Sequence, residues 1–77
     1  MVSLVSRVRV IPRSEADLAF ERLFQAEYGR VVAIAYRILG DAAEAEDVAQ
    51  DVFYDFHRRH PPDAPYAAPW LHKAAAH

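Results

Sequence analysis

Asp47, Asp51, Tyr54 and Arg58 recur at steps of four, three and four residues, with Gln50 and Asp55 alongside. On a helix that spacing gathers them into a single polar stripe. They belong to the stretch GDAAEAEDVAQDVFYDFHRRH, Gly40 to His60, which opens on carboxylates and closes on His57, Arg58, Arg59 and His60. Carboxylates could serve acid–base chemistry or hold a cation, but neither is supported here. No nucleophile–base pairing and no phosphate-cradling glycine loop accompanies them. His57 and His60 stand three apart, with Asp63 the one nearby loop carboxylate, and a two-histidine pair needs further ligands to hold zinc. No enzyme, metal or cofactor is expected.

Two readings of the stripe remain. Acidic groups at a helix start and basic groups at its end complement the helix dipole by about 0.3–1 kcal/mol each, and Asp41, Glu44, His57, Arg58 and Arg59 fit that role. The dipole effect fades within the terminal turns. Asp47 and Asp51 lie beyond its reach, so they read either as a solvated face or as a surface for a partner.

The stripe needs a helix to carry it, and the chain punctuates one clearly. Gly40-Asp41 supplies a left-handed stop and then a new N-cap, with Glu44 at the third position of a capping box. Ala45, Val48, Ala49, Val52, Phe53 and Phe56 then form the apolar face, and the helix is expected to end near Arg59, because His60-Pro61-Pro62 cannot continue it. Upstream, Ser14 reads as an N-cap with Asp17 three residues on. Apolar positions 20, 23, 24, 28, 31, 35, 38 and 39 make the stripe of a preceding helix. Gly29 lies inside it and predicts a kink or break near Tyr28–Arg30. The proline-rich loop HPPDAPYAAP is expected to be stiff, and a last helix is expected to start near Pro69, which suits the first helical position. That helix carries no C-cap, which reads as a piece of a longer chain. Residues 1–13 alternate like a short strand until Pro12 and read as a loose or partner-dependent arm.

Seventy-seven residues allow one small domain. The expected core draws on Leu18, Phe20, Leu23, Phe24, Tyr28, Val31, Val32, Ile34, Ile38, Leu39, Val48, Val52, Phe53, Phe56, Trp70 and Leu71. These suffice for a compact all-α bundle of three or four helices. Cysteine is absent, which excludes disulfides and thiolate metal sites. A formal charge of −2 argues against a strongly basic nucleic-acid binder. No apolar run approaches the roughly 18 residues that span a bilayer, and the opening residues make a poor signal peptide. A soluble cytoplasmic domain without membrane insertion is expected.

Gly40-Asp41, Glu44-Ala45-Glu46-Asp47-Val48, Gln50-Asp51 and Phe53, followed after a gap by Trp70-Leu71, Lys73 and Ala75, resemble region 2 of the bacterial sigma-70 family factors. The compact extracytoplasmic-function group is the nearest in pattern. The resemblance covers residues 14 to 77. It implies the region 2 helical bundle and a transcription initiation role, with the acidic helix docking on the clamp helices of the RNA polymerase β′ subunit. Gln50 and Asp51 fall on the matching contact positions, with Asp47 and Tyr54 at the edge.

The resemblance also implies that the loop and last helix engage the −10 promoter element, whose melting needs a pocket for an unstacked base, stacking groups and backbone cations. Candidates are Arg58, Arg59, His60, Tyr66, Trp70 and Lys73. Each has a plainer role: Trp70 as a core plug, Tyr66 as packing beneath the loop, the arginines as dipole partners. The family often reads WLFRIARN where this chain has WLHKAAAH, a less basic version. An anti-sigma factor covering these surfaces follows by analogy with the family. Two alternatives stay open: a sigma-like protein-binding module without DNA melting, and a generic helical oligomerisation domain.

Overall fold

The computed structural model describes residues 14–77, so the strand-like pattern of residues 1–13 lies outside the described residues. Local chemistry sets the helix boundaries. The Asp17 N–H donates to Ser14 Oγ at 3.2 Å and opens α1, Glu15–Leu39. Gly40 closes it at φ 72°, in the left-handed region, and donates its N–H to the Tyr36 carbonyl at 2.8 Å. One residue later the Glu44 N–H donates to Asp41 Oδ1 at 2.9 Å and opens α2, Ala42–Arg59. His60 then turns to extended backbone, as a residue before proline must. A turn through residues 61–66 leads to α3, Ala67–Ala75. The all-α class expected from the sequence holds, with three helices among the described residues.

α2 supplies the two largest buried side chains of the core. Phe53 meets Phe20, Phe24 and Tyr28 of α1 at ring-centroid distances of 6.4, 4.9 and 6.0 Å. One turn on, Phe56 faces the other way and meets Trp70 of α3 at 5.2 Å. Phe53 and Phe56 join Val31, Ala49, Val52, Ala67, Leu71 and Ala75 in one buried cluster. Among the described residues, half of the ten buried hydrophobic ones are alanines. Their small size lets helix surfaces approach closely, which is how so short a chain closes a core. No buried side-chain polar atom lacks a partner among the described residues.

Three expectations are corrected. α1 runs unbroken through Gly29, which is exposed and keeps a helical conformation. The glycine's cost of about 0.5–1 kcal/mol is outweighed by packing on both sides of it, Phe24 and Tyr28 before and Val31 after. Leu18, Ile38 and Leu39 are exposed rather than core, Ile38 to 59%. α1 has 25 residues against 18 in α2 and nine in α3, so its terminal turns outrun their cover. Finally, α3 begins two residues before Pro69. The first turn of a helix has no intrahelical use for its N–H groups, so a proline at the third position costs nothing there, and the first bond runs from Trp70 N–H to the Tyr66 carbonyl.

One polar contact ties α3 to α1. His72 Nε2–H donates to Glu27 Oε1 at 2.7 Å, and both side chains are largely covered. A double-mutant cycle on Glu27→Gln and His72→Gln should return a coupling of about 0.5–1.5 kcal/mol in chemical denaturation. Additive effects would mean that the pair contributes nothing to closing the bundle. The two glycines should respond with opposite signs. Gly40→Ala places a Cβ at positive φ and should destabilise by about 1 kcal/mol. At Gly29 a Cβ meets nothing within 4 Å, so Gly29→Ala should stabilise by about 0.5–1 kcal/mol in the same unfolding assay.

Candidate polymerase and nucleic-acid surfaces

Burial on α2 decides where its polar stripe points. Ala45, Ala49, Val52, Phe53 and Phe56 are buried, and their common direction lies opposite the line through Asp47, Gln50, Asp51 and Tyr54. All four of those residues are exposed, Tyr54 to 63%. Among the described residues, Asp47, Gln50 and Asp51 have no hydrogen-bond or ion-pair partner. Towards the C-terminal end the stripe becomes self-satisfied. The Arg58 guanidinium stands over the Tyr54 ring, 5.6 Å from its centroid, and Arg59 Nε lies 3.4 Å from Asp55 Oδ1. Both contacts are on the helix surface, where such pairs are worth a fraction of a kcal/mol up to about 1 kcal/mol.

The stripe borders a shallow groove between α2 and α3, lined by Val48, Asp51, Val52, Tyr54, Asp55, Trp70 and Ala74. On its far side Trp70 also walls a second depression with Lys73, Ala74 and His77. Trp70 takes the packing position that its plainer role required. It is half-buried on Phe56, and its remaining surface faces two grooves. Lys73 is exposed one turn further on.

At the α2–α3 junction the rings of His60, Tyr66, Phe56 and Trp70 form one cluster. His60 stacks on Phe56 with centroids 5.1 Å apart and planes 21° apart, meets Trp70 at 5.1 Å, and meets Tyr66 edge-on at 5.5 Å. His60 Nδ1 and the Tyr66 hydroxyl share a hydrogen bond at 3.1 Å. Tyr66 nevertheless keeps 45% of its surface exposed. Of the six candidates, His60, Tyr66 and Trp70 meet in this cluster, Lys73 shares a depression with Trp70, and Arg58 and Arg59 precede His60 at the end of α2.

His57 does not join them. Its ring lies 4.5 Å from Phe20 on the α1 side, while His60 faces α3. Asp63 borders a different cleft, with Glu15, Leu18 and Arg22. No group of three or more metal-ligating side chains converges among the described residues. Sequence reasoning missed the Glu27–His72 contact and the His60–Tyr66 bond. The first joins positions 45 apart and leaves no spacing signal. The Tyr54–Arg58 contact, by contrast, was available from its four-residue helical spacing.

Among the described residues no helix is long and apolar enough to cross a membrane. The family model for sigma-70 region 2 matches residues 23–77, which takes in most of α1, all of α2 and α3, and every candidate residue. No curated protein and no solved structure matches the chain. With most of its length matched, the chain belongs to the sigma-70 region 2 family, whose role in transcription is to bind RNA polymerase and recognise promoters.

Proposed function

We propose that this domain is the initiation module of a cytoplasmic sigma factor of the extracytoplasmic-function group. It docks on the clamp helices of the RNA polymerase β′ subunit and holds the melted −10 element. Asp47, Gln50, Asp51 and Tyr54 form the polymerase dock. Arg58, Arg59, His60, Tyr66, Trp70 and Lys73 form the strand-binding region. An anti-sigma factor would act by covering the same two surfaces.

The observation that carries the reading is the exposed, unpartnered mid-helix run of Asp47, Gln50 and Asp51, directly opposite the core face of α2. An acidic stripe of this kind suits a basic helical partner. Its charges act mainly on encounter rate and register, while the neighbouring apolar groove at Val48, Val52 and Trp70 supplies contact area. The strand-binding region has what an unstacked nucleotide requires. Two partly exposed aromatic side chains, Tyr66 and Trp70, offer stacking surface, with Lys73 beside Trp70 and Arg58 and Arg59 at the end of α2 as cations for the backbone. Opening a base step costs a few kcal/mol, which stacking at about 1–3 kcal/mol per base can offset.

One observation favours a second reading, a protein-binding module that docks on polymerase without melting DNA. Arg58 and Arg59 are already engaged by Tyr54 and Asp55, and Lys73 is the only lysine in the chain. Polymerase binding without capture of single-stranded DNA would select that reading.

In a calorimetric titration against an isolated β′ clamp-helix fragment, the chain should bind. The Gln50→Ala, Asp51→Ala double variant should bind roughly tenfold more weakly or worse, a loss of about 1.4 kcal/mol or more, with its helical circular dichroism unchanged. Equal binding by the double variant would remove these residues from the dock. No binding by the folded chain would overturn the polymerase reading itself.

A further inference from the structure

His60 holds a position that its assignment to a strand-contacting set does not explain. Its backbone N–H closes α2 on the Phe56 carbonyl at 2.8 Å, and Pro61 follows at once. Its ring, half-buried, lies among the rings of Phe56, Tyr66 and Trp70. One residue thus ends α2 through its main chain and grips the start of α3 through its side chain. α3 needs such a grip, because Tyr66 occupies its N-cap position without any side-chain capping bond. The Tyr66 hydroxyl is directed instead to His60 Nδ1.

The intervening loop is short and stiff. Pro61, Pro62 and Pro65 restrict its backbone, and it closes on itself through Ala64 N–H to the Pro61 carbonyl and Ala67 N–H to the Ala64 carbonyl. A loop of this kind moves as a unit, so its angle to the bundle is decided at its two ends. His60 and Tyr66 are those ends, and a hydrogen bond joins them.

We infer that His60 is a positioning residue for strand capture: it latches Tyr66 and seats Trp70, fixing the spacing of the two aromatic groups that receive unstacked bases, rather than contacting the strand itself. The latch deepens the strand-binding reading above and rests on it for its purpose. Its geometry, however, can be tested without DNA. The His60–Tyr66 bond and the His60 stack on Phe56 make separable contributions. His60→Phe keeps a flat ring on Phe56 and Trp70 and removes the bond, whereas Tyr66→Phe removes the same bond from the opposite end.

The experiment has two arms on the 77-residue chain. In the DNA-free arm, imidazole nitrogen-15 resonances are recorded together with Trp70 fluorescence. Tyr66→Phe should move the His60 Nδ1 resonance, and both single variants should change Trp70 emission in the same direction. In the second arm, the chain is combined with core RNA polymerase and titrated with a fluorescein-labelled single-stranded oligodeoxynucleotide of mixed sequence. Each single variant should weaken capture by about two- to tenfold, the range of one net hydrogen bond, and the double variant should be no worse than either.

Losses that multiply in the double variant would overturn the latch, because two independent strand contacts behave that way. A His60 Nδ1 resonance unmoved by Tyr66→Phe would also overturn it. If the unaltered chain captures no strand, the DNA reading fails, and the DNA-free resonances still decide whether the latch exists.

Discussion

Phe53 and Phe56, three positions apart on α2, form the contact on which the rest of the molecule depends. Each is buried essentially completely, and they point to opposite neighbours: Phe53 into the Phe20, Phe24 and Tyr28 set of α1, Phe56 into Trp70 of α3. Aromatic side chains bury on the order of 150–250 Å² each, and truncating such a residue in a core costs about 3–5 kcal/mol. A domain of this size has a total stability on the order of 5–10 kcal/mol. Phe53 and Phe56 are thus the largest side chains joining α1 and α3 to α2, with Val31 and Leu71 beside them, and the buried alanines around them serve close approach more than area.

That arrangement has a functional consequence. A helix buried along one face between two neighbours has only the opposite face left for solvent. The core demands of Phe53 and Phe56 thus determine that Asp47, Gln50, Asp51 and Tyr54 project outward together. The polar stripe is carried on a helix that packs against both of its neighbours. A recognition surface on such an element loses little conformational entropy on binding, which favours affinity for a given contact area.

The proposed strand-binding end is built on the same anchor by different means. Phe56 is the floor on which His60 and Trp70 lie, so the loop and α3 inherit their placement from the core. Proline stiffness, the His60–Tyr66 bond and the Glu27–His72 contact then limit how α3 can tilt. Cationic side chains are few there, and two of the three are restrained on α2 by Tyr54 and Asp55. Shape and stacking must supply more of any strand affinity than charge does, consistent with a formal net charge of −2.

The parts of this molecule that could be read in advance are those whose causes lie within a few residues. Ser14, Gly40 and Asp41 act through hydrogen bonds to neighbours three or four positions away, so their capping roles were visible as residue types. The two faces of α2 follow from a period of 3.6 residues and needed no knowledge of what covers them. Where the outcome depended on cover, local reasoning failed. Gly29 was expected to break α1 because its intrinsic cost is local, while the packing that overrides it comes from other helices. Leu18, Ile38 and Leu39 matched the apolar stripe, yet their burial depended on how far α2 and α3 reach along α1. The packing of Trp70 on Phe56 likewise depended on where α3 crosses α2. The Glu27–His72 and His60–Tyr66 contacts depend on helix crossing and loop closure, which no spacing in the chain encodes. Periodicity and capping are properties of a segment, but the meeting of side chains from separate segments is a property of the packed whole.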